Sequence, residues 1–353
     1  MTTSSAPGKI ILFGEHAVVY GRPALAVPVT QVHADVEIVN SSRAGIWIQA
    51  PDVNLHTELN TLPSDHPIAS VIHNFLFLSR TSPSPTGRGV RGEGRFPNLE
   101  IKISSTIPVA SGLGSGAAVT VALTRALASH LDRLMTDEEI NAFTYEIEKL
   151  HHGTPSGIDN TVVTYAKPVY FVKRFPSLIR AERSASEDEA GRGARGEGNE
   201  IKIFKVGAPF TIVIGDTGIS APTKESVADV RKLWEADKQR WESVFDKIGR
   251  IANKAKEAIE SDSTTLESDS LLSNTLGGLM NENHALLQEM TVSSSELDGL
   301  VSAARNAGAV GAKLSGGGRG GNMIALVEAE NADEISSALL SAGAKRTLIT
   351  TIS

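Results

Sequence analysis

The hydrophobic positions change period along the chain, and those changes lay out its elements. Residues 24–39, ALAVPVTQVHADVEIV, alternate at Val32, Ala34, Val36 and Ile38, which predicts a strand with one buried face. Further strands are predicted at 9–15 (KIILFGE), 45–50, 98–105, 169–172, 201–206, 210–216, 309–314, 322–328 and 345–352. The residues before the first of these, MTTSSAPG, read as a polar lead. Apolar spacing of three and four predicts helices at 66–78, 115–130, 136–150, 223–259, 270–290, 295–306 and 332–342. Thr136, with Glu139 three residues on, has the signature of a capping box at the start of its helix. Strands and helices do not strictly alternate, so the pattern favours α+β layers over a doubly wound parallel sheet.

At 353 residues the chain is long enough for two domains, each with its own core. Its 41% hydrophobic and 21% charged residues are ordinary for a globular protein. No run is apolar for long enough to predict a membrane span, and the first residues lack the basic and apolar regions of a secretory signal. There are no cysteines, which excludes disulfides and thiolate chemistry and, with no secretory signal, leads us to expect a cytoplasmic protein. A net charge of −7 without a continuous basic face disfavours a nucleic-acid partner.

Two segments stand apart. Residues 82–95 and 186–199 share nearly the same core, GRGVRGEGR against GRGARGEGN. Dense Gly, Arg and Glu cannot bury enough apolar surface to order itself. Arg-Gly pairs also occur in RNA-binding segments. Each core carries a glutamate and sits between predicted elements, which favours exposed loop insertions.

Three stretches carry candidate chemistry. In IPVASGLGSGAAVT, Gly112, Gly114 and Gly116 alternate with Leu113 and Ser115 directly before a predicted helix. Free N–H groups at a helix start, with the helix dipole, suit an anion, and glycines clear its approach. A tight strand-to-helix turn would need the same glycines. In EIEKLHHGTPSGIDN, Glu148 lies near a helix end and Asp159 beyond a turn, so the two carboxylates can converge. One carboxylate on Mg²⁺ and one on a hydroxyl proton is what phosphoryl transfer to an alcohol requires. The plainer alternatives are a solvated Glu148 and an Asp159 that caps a helix starting near Asn160. His151 and His152 read as helix-end residues and not as zinc ligands. In APGKIILFGEHAVVYGRPAL, Lys9 opens a strand, and Glu15 and His16 follow a glycine at its end. Gly316, Gly318 and Gly321 fit G-x-G-x-x-G, but a strand follows them, so a dinucleotide-binding fold is rejected.

Together these stretches, with GAKLSGGGRGGNMIAL, resemble the GHMP small-molecule kinases, and most closely their mevalonate kinases, over nearly the whole chain apart from the two insertions. The resemblance implies two α+β domains, of about 1–200 and 201–353, with the active site in the cleft between them. The first would be like ribosomal protein S5 domain 2 and the second ferredoxin-like. It implies ATP and Mg²⁺, and phosphorylation of the C5 hydroxyl of mevalonate on the way to isoprenoid precursors. By position, Asp159 would be the base or orient that hydroxyl, with Lys9 beside it. Glu148 and Ser115 would hold Mg²⁺, and Pro108, Ser111, Gly112, Leu113, Gly114, Ser115, Gly116 and Ala117 would form the ATP loop. Lys9, Glu15, His16, Asp159, Thr223, Gly316 and Gly317 would line the mevalonate site. The partners implied are small molecules alone, with no nucleic acid or membrane; a homodimer is left open.

The chain departs from the family pattern in three places. Gly116 stands where many relatives have a second serine, so Ser115 or water would have to take that serine's place. Asn322 stands where a cysteine is common. Arg319 replaces a glycine, and either approaches the phosphates or points to solvent. Another small-alcohol kinase, such as one acting on phosphomevalonate, is the alternative substrate class. A regulator that has lost catalysis is disfavoured because Lys9, Glu148 and Asp159 all stand.

Overall fold

A computed structural model describes the chain except for residues 82–96, 109–110, 153–154, 175–198, 221–222 and 262–265. The first insertion, and the second apart from Asn199, lie outside the described residues. The chain divides into two compact units, residues 1–9 with 28–166 and residues 10–27 with 167–353.

In the first unit, the last residues of β2 (Pro23–Asn40), Ala34 to Asn40, pair antiparallel with β5 (Leu99–Ser105), with Val36 opposite Ile103. β5 pairs parallel with β3 (Ile46–Ala50), which pairs antiparallel with β4 (Leu55–Glu58). Val32, Ala34, Val36 and Ile38 are all buried, so the alternation in β2 does mark its core face. Helices α1 (Pro67–Thr81), α2 (Ser115–His130), α3 (Asp137–His152) and α4 (Ile158–Tyr165) pack together. α2 is central, touching α1, α3, α4 and β5. It can be, because ten of its sixteen residues are buried and most are alanine, valine or leucine, which allow close approach. The expected capping box closes α3: Glu139 N–H donates to Thr136 Oγ1, and Thr136 N–H donates to Glu139 Oε2 at 2.8 Å.

In the second unit, the first residues of β2 pair with β6 (Val169–Val172), and β6 pairs with β7 (Glu200–Ile203). A separate antiparallel sheet has the order β11 (Arg346–Ile352), β8 (Phe210–Asp216), β10 (Asn322–Val327), β9 (Gly311–Ser315). Numbered within the sheet this is 4-1-3-2, the ferredoxin-like order expected above. Where one crossover helix would suffice between β8 and β9, four stand among the described residues: α5 (Thr223–Ala236), α6 (Lys238–Glu260), α7 (Leu266–Glu289) and α8 (Ser295–Asn306). α9 (Ala332–Ser341) makes the second crossover. The edge strand β9 is covered by α7. Asn281 Oδ1 accepts from the Ala312 N–H at 3.1 Å, and His284 Nδ1 from the Leu314 N–H at 3.3 Å.

Three expectations shift. The helix predicted over 223–259 is two, because Asp237 turns the chain and caps α6 by accepting from the Arg240 N–H. The polar lead is already strand, since β1 runs Thr2–Phe13 and pairs with β2. Asp159 does not cap α4; Gly157, at φ 94°, takes that place and Asp159 lies in the first turn. Among the described residues, no helix is long and apolar enough to cross a membrane.

Candidate active site

In the first unit the site grows from the body of β1 and the start of α2. Lys9 is fixed by its backbone N–H, which donates to the Leu113 carbonyl at 2.9 Å. Its side-chain stem then lies on Gly114, where a Cβ would stand 2.9 Å from Lys9 Cγ. Gly114 also has φ +75°, so close approach and backbone conformation both demand glycine here. From this seat Lys9 Nζ reaches Asp159 Oδ1 at 3.0 Å, the lysine side chain 5% exposed and the aspartate 38%. Asp159 is favoured at the start of α4 by the helix dipole.

Glu148, near the end of α3, is buried. Burial above all, then the charge of Asp159, pushes its carboxyl up to about 7, with Lys9 acting in the opposite direction. A Cβ on Gly116 would stand 3.7 Å from Glu148 Oε1, so the start of α2 faces this carboxylate. Ser115 opens α2, and its N-cap Gly114 has no side chain to accept the free N–H groups of the first turn. Before it, Ser111 Oγ donates to the Pro108 carbonyl at 2.8 Å and shapes the loop. Leu113 and Ala117 are buried and anchor it, whereas Gly112 and Gly116 are exposed. Lys9, Asp159, Glu148 and the described loop residues Ser111–Ala117 therefore form one cluster.

The donor set there suits a hydrated cation. No three His, Cys, Asp or Glu side chains gather among the described residues, so a cation at Glu148 would take most of its ligands from water or phosphate. That is the habit of Mg²⁺, which keeps few protein ligands.

The second unit holds the other predicted residues. Glu15 and His16 are buried, and His16 adopts φ 60°, ψ −48° while the Ala17 N–H donates to the Glu15 carbonyl at 2.6 Å. This is a γ-turn, a strained conformation for a residue other than glycine. His16 Nε2 donates to the Gly317 carbonyl at 3.1 Å. Burial lowers this imidazole to about 4, so it is neutral at pH 7 and carries its proton on Nε2. Thr223, the exposed first residue of α5, lies over Gly317, where a Cβ would come within 2.7 Å of Thr223 Oγ1. Gly316 has open space around its Cα. Arg319 is neither free toward a phosphate nor loose in solvent: its Nη1 donates to Asp229 Oδ2 at 2.7 Å.

Lys313 is absent from the sequence-derived site. It is wholly buried and ion-paired with Glu15, which is wholly buried too. A signal existed: a lysine inside the apolar run AVGAKLS must bury its charge or leave the strand, and a buried lysine needs a partner.

Comparison with known proteins gives the family of the chain. The GHMP kinases N terminal domain profile matches residues 85–167, and the GHMP kinases C terminal profile matches residues 270–345. A mevalonate kinase of Thermococcus gammatolerans is 35% identical over 96% of this chain and 93% of its own length. One of Pyrococcus abyssi is 34% identical over 97% and 93%. Among solved structures, L. major mevalonate kinase in complex with R-mevalonate superposes with a TM-score of 0.71 at 28% identity, covering 100% of this chain and 96% of its own. Streptococcus pneumoniae phosphomevalonate kinase gives 0.74 at 18% identity, covering 99% and 100%, a likeness of fold alone. The chain belongs to the GHMP kinases and, within them, to the mevalonate kinases.

Proposed function

We propose that this chain transfers the γ-phosphoryl group of ATP to the C5 hydroxyl of (R)-mevalonate, with Mg²⁺ as the cation. The observation that carries the reading is the Lys9–Asp159 pair set against a glycine loop that opens a helix. Asp159 accepts or orients the hydroxyl proton, and Lys9 counters the charge that develops on the transferring group. The α2 N-terminus offers N–H groups to phosphate oxygens, and Glu148 and Ser115 hold the cation. When bound, Mg·ATP supplies the phosphoryl group and neutralises part of its charge. Catalysis by these residues is positioning and charge stabilisation.

In the second unit, Glu15, His16, Thr223, Gly316 and Gly317 line the acceptor site. Two cations close to these residues are matched among the described residues, Lys313 with Glu15 and Arg319 with Asp229. A phosphorylated acceptor would call for cations to spare, and these two offer none, which favours mevalonate over phosphomevalonate. ADP release from Mg·ATP with mevalonate as the acceptor tests the proposal.

A further inference from the structure

The third glycine stretch does more in this structure than turn the chain. Lys313 and Ser315 are alternate positions of β9 and share a face, and Gly317 follows in the glycine turn just beyond the strand. Each of them grips the segment 11–16. Lys313 Nζ pairs with the Glu15 carboxylate and also donates to the Leu314 carbonyl at 2.6 Å. Ser315 Oγ donates to the Ile11 carbonyl at 2.7 Å. The Gly317 carbonyl accepts from His16 Nε2 at 3.1 Å. Lys313, Ser315, Glu15 and His16 are all buried.

A buried ion pair is a poor way to gain stability, because desolvation of both charges offsets their attraction. Apolar residues of similar volume would hold β9 to the segment as well. What the pair adds is direction, and the segment needs it, since the γ-turn at His16 persists only where its surroundings over-determine it.

We propose that Lys313 is a positioning residue for the acceptor site: by pairing with Glu15 inside the protein it fixes the turn that presents His16, with its ring held on Gly317. The assignment rests on the reading of Glu15 and His16 as mevalonate-lining residues. Lys313 itself touches no substrate.

Lys313→Met alone leaves the Glu15 charge buried without its lysine, so the informative variant is Glu15→Gln/Lys313→Met, which removes both charges at nearly constant volume. We expect it to fold with a cooperative thermal transition. We expect its KM for mevalonate to rise about tenfold or more while its KM for ATP stays within about twofold, the split that marks lost acceptor positioning. Nitrogen-15 NMR of labelled histidine gives a second reading that needs no turnover. His16, assigned by its loss in His16→Gln, should show one tautomer protonated at Nε2 in the wild type and averaged tautomers in the double variant. A folded double variant with wild-type KM and an unchanged His16 tautomer overturns the proposal. If the wild type itself does not use mevalonate, the functional reading falls, and the NMR comparison alone decides the role of Lys313.

Discussion

Lys9 Nζ and Asp159 Oδ1 stand 3.0 Å apart, with the stem of the lysine laid across Gly114 of the glycine loop. One side chain thus ties the carboxylate proposed to face the acceptor to the loop proposed to face the phosphates. Asp159→Asn keeps the shape and removes the proton acceptor. It should lower kcat by about 10²–10⁴-fold and leave the KM for ATP nearly unchanged. Near-normal steady-state turnover would remove Asp159 from its role.

Gly114 and Gly116 separate two uses of glycine in one loop. Gly114→Ala forces a side chain into φ +75° and against Lys9, and should cost about 1–3 kcal/mol while also displacing the lysine from Asp159. Gly116→Ala meets nothing closer than 3.7 Å, so thermal unfolding should place it near the wild type. Equal losses in the two variants would contradict the close packing of Lys9 on Gly114.

Glu148 makes the protein's stability depend on pH in an unusual direction. Its folded carboxyl titrates near 7, above the ordinary 4.5, so the folded state binds the extra proton between those values. Its contribution is fully present below about 4.5 and is lost as pH rises through 7, a difference of about 3 kcal/mol. Glu148→Gln should therefore be more stable than the wild type at pH 8 without Mg²⁺, and the gap should close toward pH 5. The same variant should lose Mg²⁺-dependent turnover. Chemical denaturation of both proteins across this range checks the sign, and a gap that widens on acidification would refute it.

Much of this was legible in the chain, and the reasons differ by residue. The alternation in β2 and the capping box of α3 are local patterns, and both stand in the structure. Lys9, Glu148 and Asp159 stood out through the company of their motifs, and the structure places the three in one electrostatic cluster. Lys313 was passed over because its partner Glu15 lies about three hundred positions away, beyond any periodicity. The fate of Arg319, in the turn between β9 and β10, was open for the same reason, since Asp229 lies 90 positions away on α5. The break at Asp237 was missed because the apolar spacing continues past it, although the aspartate is a good cap.

Arg319 sits at φ 59°, a conformation that suits glycine better than arginine. Its pair with Asp229 is partly exposed, and such pairs contribute little. Arg319→Gly should thus leave the melting temperature unchanged or raise it. A drop of several degrees would mean that the Asp229 contact does more for the fold than its exposure implies.

The most direct measurement is ADP release by the purified protein with Mg·ATP and, in parallel, mevalonate, phosphomevalonate, homoserine and galactose. The account predicts saturable turnover with mevalonate and little with the other three. Turnover with phosphomevalonate in its place would contradict the acceptor assignment to Glu15, His16 and Thr223. No turnover with any of the four, by a folded protein that still binds ATP, would contradict the catalytic reading of Lys9, Glu148 and Asp159.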